Sequence, residues 1–155
     1  MATKNQNSKH IVKKTLPSAE GLRFALIVSQ WNSEITNRLY EGANQILQKQ
    51  KAKQIDYIDV PGSFELVYAS RLAMEKKYDA VIAIGNVIRG ETSHFEYVCQ
   101  GVTNGIQQLN SMGTVPIIFC VLTDDSIAQS RARSGGSLGN KGEEAAVAAI
   151  QMARL

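Results

Sequence analysis

From Gly85 to His94 the chain reads Gly-Asn-Val-Ile-Arg-Gly-Glu-Thr-Ser-His, which gathers the groups needed for chemistry on a small anionic molecule. Gly85 and Gly90 permit close backbone approach. The N–H groups of Glu91 and Thr92 at a helix start, together with the Thr92 hydroxyl, make a nest suited to phosphate. His94 falls on the first turn of the following helix, beside that nest, where an imidazole can take up and return a proton. A lone histidine is more often structural, but sharing a loop with an anion nest favours the proton-transfer role here. The Gly-x-x-x-x-Gly-Lys-Ser/Thr spacing is absent and no Gly-x-Gly-x-x-Gly follows a strand, so ATP and NAD lose support.

Other candidates lie on separate loops. Trp31, the only tryptophan, follows an apolar run and fits two roles: stacking on a planar heterocycle, or packing under the rim of a crevice. The turn Pro61-Gly62-Ser63-Phe64-Glu65 offers the N–H groups of Ser63 and Phe64 with the Glu65 carboxylate. That set could read a donor-and-acceptor edge, or could simply cap a helix. Phe119 sits mid-strand, where core packing is the ordinary role. Arg131, Arg133 and Lys141 flank a loop holding Gly135, Gly136 and Gly139, an arrangement that admits a phosphate closely, although each cation alone fits a solvated surface equally well.

These loops must be positioned by elements that the pattern makes plain. Buried strands are expected at Arg23–Gln30, Gln54–Val60, Ala80–Val87 and Pro116–Leu122, each a nearly continuous apolar run. Helical spacing follows each one: Ile35, Leu39, Ala43 and Leu47 after the first, with Asn32 as cap, then Leu66, Val67, Leu72 and Ala73 with Ser63 as cap. Phe95, Val98, Val102, Ile106 and Leu109 follow, ending near Gly113. A short helix near Asp125–Arg133 and an Ala-rich helix over Lys141–Ala153 complete the chain, with no strand after the fourth. Strict alternation predicts a three-layer, doubly wound α/β fold, flavodoxin-like, with a mainly parallel four-stranded sheet and helices on both faces. Ligands then bind outside the carboxyl ends of the strands, where all the loops above converge.

Bulk properties narrow the class. At 155 residues one domain is expected, over 21–155, preceded by a flexible amino-terminal arm over 1–20 that carries Lys4, Lys9, Lys13 and Lys14. A net charge of +3 argues against nucleic acid. No apolar run reaches the ~20 residues of a membrane span and no signal core opens the chain, so a cytoplasmic protein is expected. Cys99 and Cys120 lack metal spacing, and neither disulfide nor zinc is expected.

Three segments, Val60–Leu66, Ile84–Phe95 and Gly139–Ala146, closely resemble in content and order the lumazine synthase family, and the similarity runs from about Gly21 to the carboxyl end. The resemblance implies a transferase that condenses 5-amino-6-(D-ribitylamino)uracil with 3,4-dihydroxy-2-butanone 4-phosphate in riboflavin biosynthesis, without cofactor or metal. By the same resemblance Trp31 stacks on the pyrimidine. Ser63, Phe64, Glu65, Asn86, Val87, Ile88 and Phe119 hold the ring and ribityl chain. Glu91, Thr92 and Arg133 hold the phosphate, His94 moves protons, and Lys141 and Glu144 support the pocket, with some groups coming from a neighbouring subunit. Trp31 stands where Phe is frequent, Val67 where Pro is common, and Ser134 where Ala is common. Pentamers are implied as the basic unit, with riboflavin synthase as a further partner, and the short Gly135–Gly139 linker resembles members that build 60-subunit capsids. Two other readings use the same fold: an FMN-binding carrier, and a catalytically inactive shell protein.

Overall fold

The computed structural model describes residues 16–155, so residues 1–15 of the expected arm lie outside the described residues. Ser18, Ala19 and Glu20 are tied to the body: the Ala19 N–H donates to the Gln50 carbonyl at 2.8 Å, Glu20 bridges to Ala52, and the Arg154 guanidinium donates to the carbonyls of Ser18 and Glu20. Ala19 is fully buried.

The element order is β1 (Arg23–Ser29), α1 (Ser33–Lys49), β2 (Gln54–Val60), α2 (Leu66–Met74), β3 (Ala80–Ile88), α3 (His94–Met112), β4 (Ile117–Asp124), α4 (Ile127–Arg133), β5 (Ser134–Gly136), β6 (Gly139–Asn140) and α5 (Lys141–Met152). β1 to β4 form one parallel sheet in the order β2-β1-β3-β4. Because both faces of β1 and β3 are covered, their side chains alternate between two cores. Phe24, Leu26, Val28, Ile82 and Ile84 pack with Ile35, Leu39 and Leu47 of α1 and Ala146, Ala149 and Ile150 of α5. Ala25, Ile27, Val81 and Ala83 face the other way, toward Leu66 and Ala73 of α2 and Val102 and Ile106 of α3. The predicted three-layer class is the one observed. Among the described residues no helix is long and apolar enough to cross a membrane.

Three local expectations are corrected. A short antiparallel β5–β6 ribbon follows the fourth strand, where a loop was expected. Its glycines supply the reason: Gly135 and Gly139 hold φ of 111° and 81°, which lets so short a chain reverse and pair. Ser63 does not cap α2; the helix starts at Leu66 after Glu65, and the Ser63 hydroxyl is buried against Gly85. Asn32 precedes α1 in the left-handed region at φ 58° and makes no side-chain cap. Its amide instead donates to the Asn86 carbonyl on β3 at 3.1 Å.

Candidate active site

Two groups of candidate residues emerge, at opposite sides of the sheet. The first lies over the ends of β1 and β2. The Gln30 N–H donates to the Val60 carbonyl at 2.8 Å and that of Trp31 to the Pro61 carbonyl at 3.3 Å, so the two loops leave the sheet side by side. A Cβ placed on Gly62 would lie 3.0 Å from Glu65 Oε2 and 3.5 Å from Trp31 Cδ1, which brings indole and carboxylate to one spot. Trp31 is 72% exposed, so its ring is not packed under a rim. Phe64 diverges from this group, laying its ring on Gly101 of α3, where any side chain would collide with it.

The second group surrounds a cleft of about 520 Å³ along the outer side of β4, bordered by Phe119, Leu122, Asp124, Arg133, Lys141 and Glu144. β4 is an edge strand, and its Phe119 is 40% exposed, open to the cleft and not core-packed. Lys141 is aimed there by the start of α5. The Asn140 side chain accepts from the Gly142 N–H at 2.8 Å while its amide donates to the Arg38 carbonyl at 2.9 Å, pinning α5 to α1. Gly142 is obligatory at that crossing, since a Cβ would fall 1.8 Å from the Leu39 carbonyl oxygen. The Lys141 ammonium donates to both Glu144 carboxylate oxygens, at 2.8 and 2.7 Å, which fixes it at the cleft wall. Cys120, beside it, packs into the core, and that burial pushes its thiol up to about 12.

Of the three cations expected near the Gly-rich segment, the structure separates one. Arg131 forks onto the Glu34 carboxylate at 3.0 and 2.9 Å, and that contact holds Glu34 below the usual carboxylate range. Arg133 turns to the cleft, with Nη1 donating to the Gln129 carbonyl at 3.1 Å and lying 3.7 Å from Asp124 Oδ1.

Between the two groups runs the loop Arg89–Ser93, which enters α3 at His94. Arg89 clasps it: Nε donates to Asp125 at 2.8 Å, Nη1 pairs with Glu96, and the guanidinium covers the Phe95 ring at 4.2 Å. Glu91, Thr92 and His94 are all exposed on the loop so held, and the His94 N–H donates to Thr92 Oγ1 at 3.4 Å. Val87 and Ile88 form the partly exposed end of β3. Asn86 is almost wholly buried, and its side-chain amide donates to Ser130 Oγ at 3.0 Å instead of reaching outward.

Two residues unremarked in the sequence, Asp124 and Ser130, join Asn32 behind these candidates. Asp124, Ser130 and Asn32 form with Asn86 and Arg133 one chain of contacts that links the ends of β1, β3 and β4. The signal was present but faint: Ser130 and Arg133 are three apart on one helix, and Asp124 closes an apolar run with a charge.

Trp31 and Phe119 do not face one another within a single chain. Phe119 pairs with Ala83, which pairs with Ile27, so Phe119 sits four residues short of Trp31 along the strand direction. That is about 13 Å along the axis and about 10 Å across two strand spacings.

The chain matches the family model for 6,7-dimethyl-8-ribityllumazine synthase over residues 21–155. A protein of that name from Flavobacterium johnsoniae is 53% identical, with 99% of this chain and 82% of that protein aligned. The one from Christiangramia forsetii is 50% identical over all of this chain and 95% of its own length, and that of Porphyromonas gingivalis 49% over all of this chain and 98% of its own. By that match and these identities the chain belongs to the 6,7-dimethyl-8-ribityllumazine synthase family.

Proposed function

We propose that the Trp31 group of one subunit and the β4 cleft of a neighbour close around two reactants, 5-amino-6-(D-ribitylamino)uracil and 3,4-dihydroxy-2-butanone 4-phosphate. Lumazine synthase activity, a transferase step of riboflavin biosynthesis, is the function that family membership supports, and the flavin-carrier and inactive-shell readings are not favoured. The observation that carries the shared-site reading is the offset of Trp31 and Phe119 by about 13 Å along the strands. Exposed apolar rings support it as well: Trp31, Phe64, Tyr97 and Phe119 are each at least 40% exposed, more apolar surface than an isolated subunit needs.

Each residue then has a task. Trp31 stacks on the pyrimidine, with Phe119 of the neighbour on the other side of the pocket, and the Glu65 carboxylate accepts from the ring or ribityl donors. The backbone at Ser63, Phe64, Val87 and Ile88 lines the ribityl chain, while Asn86 stiffens the floor from within. Arg133, with the N–H groups of Glu91 and Thr92, holds the phosphate; Lys141, steadied by Glu144, adds positive charge beside it. The amine nitrogen attacks the ketone carbon, water leaves as the imine forms, phosphate is eliminated, and a second attack with loss of water closes the ring. His94 carries protons between these steps. The substrate supplies its own nucleophile, so the protein's largest contribution is alignment, which can reach ~7–11 kcal/mol.

Purified protein incubated with both substrates should yield a fluorescent lumazine and one inorganic phosphate per turnover. A yellow protein with no turnover would instead indicate a flavin carrier. Light scattering should find a hollow 60-subunit particle, as the short Gly135–Gly139 linker suggests. A sole species of pentamer mass would reject the capsid and leave the enzyme intact. Association with riboflavin synthase belongs to the same proposal and is read by co-sedimentation.

A further inference from the structure

Asp124 is the last residue of β4, only 6% exposed, and it faces the cleft wall. A buried carboxylate must be compensated, and here the compensation is specific. The Ser130 hydroxyl donates to Oδ2 at 2.8 Å, and Arg133 Nη1 lies 3.7 Å from Oδ1; among the described residues that guanidinium is its only ion-pair partner. Ser130 is itself oriented by the Asn86 side-chain amide at 3.0 Å, and the Asn32 amide donates to the backbone carbonyl of Asn86. The Asn86 and Ser130 donations both run toward the carboxylate. Arg133 Nη1 thus donates to the Gln129 carbonyl and lies within ion-pair distance of Asp124, and among the described residues Nη2 and Nε have no hydrogen-bond partner.

We infer that Asp124 is a positioning residue for the phosphate-bearing substrate, fixing the Arg133 guanidinium so that two N–H groups face the cleft. This rests on the assignment of Arg133 to phosphate. A guanidinium held at one end binds a tetrahedral anion without first losing side-chain freedom, so the carboxylate favours phosphate despite its own like charge. Ser130 serves by keeping that carboxylate oriented.

The test is a titration of the full-length assembled protein with inorganic phosphate, run beside one with ribitylaminouracil read by Trp31 emission. Asp124→Asn keeps the shape and removes the charge. Its phosphate Kd should rise about tenfold, the effect of one weakened charge-assisted contact, with ribitylaminouracil affinity unchanged within about twofold. In steady state the loss should appear in KM for the phosphate ester and not in kcat. Combining it with Arg133→Ala should add nothing to the single Arg133 variant. Phosphate bound equally or more tightly by Asp124→Asn, while Arg133→Ala weakens it, overturns this inference and spares the Arg133 assignment. Phosphate binding untouched by Arg133→Ala overturns both. Should Asp124→Asn fail to assemble, Ser130→Ala decides: a rise of about threefold upholds the inference, and no change overturns it.

Discussion

Trp31 and Glu65 are placed by turns at the ends of neighbouring strands, whereas Arg133 is turned to its cleft by Asp124 at the end of β4, and Lys141 by a start of α5 pinned through the Asn140 amide on the Arg38 carbonyl 102 residues away. The first group is an exposed aromatic beside one acid; the second is a pair of cations set into a cleft, each held by a carboxylate. On the proposed function, the first takes the flat, neutral heterocycle and the second the compact dianion. The difference teaches that the halves should fail differently. Damage at Trp31 should weaken one substrate and leave the fold alone, whereas damage at the cleft should disturb alignment and, at Gly142, the α1–α5 packing itself.

The largest effect should come from the cation. Removing one partner of a desolvated charge pair costs ~2–5 kcal/mol, so Arg133→Ala should lower kcat/KM for the phosphate ester by ~10²–10³-fold. His94→Ala should fall at or below ~10²-fold, because water or buffer replaces part of a positioned acid or base on so exposed a loop. Steady-state kinetics of both variants, after light scattering confirms normal assembly, gives the comparison. A dead His94 variant beside a near-normal Arg133 variant would mean that proton transfer, not alignment, carries the rate.

The next effect isolates the other half. Trp31→Ala should weaken ribitylaminouracil by about 1–3 kcal/mol, the range for stacking of a base on an aromatic ring, and Trp31→Phe by much less. Phosphate affinity should not change in either. Saturating ribitylaminouracil should quench the emission of Trp31, the only tryptophan. Unchanged emission, with binding confirmed by calorimetry, would remove the ring from the site.

The contrast also explains what could be read from the chain. Continuous apolar runs such as Phe24–Val28 and Val81–Ile84 announced the buried strands, because residues covered on both faces leave no polar alternation. The β4 edge was less transparent. Phe119 lies in a run as apolar as the others, and only the strand order reveals that it borders an open edge. Ser63 and Asn32 misled for a single reason: short polar side chains before a helix cap it by default, yet both are engaged by β3, through Gly85 and Asn86. Arg131 and Arg133 are indistinguishable by type, and Glu34, nearly a hundred residues earlier, decides which one is drawn away from the cleft.

The smallest effect should spare activity altogether, and it lies at the amino-terminal edge of the sheet, away from both halves. Tyr78 donates its hydroxyl to Asp56 at 2.6 Å under Arg23, and its phenol is raised from 10.0 to about 12, first by burial and then by that hydrogen bond. Because the folded protein holds this proton more tightly than the unfolded chain, the contribution is complete below pH 10 and disappears as the pH rises from 10 to about 12. Urea midpoints measured across that window should fall for the wild type. Tyr78→Phe lacks the titrating proton, so it should be less stable at pH 8, and the gap to wild type should narrow toward pH 12. At neutral pH its affinities for phosphate and ribitylaminouracil should match the wild type. A gap that stays constant across the window would show that ring packing, and not the proton shared with Asp56, stabilises this edge, whereas altered substrate affinities would mean that the two ends of the sheet are coupled.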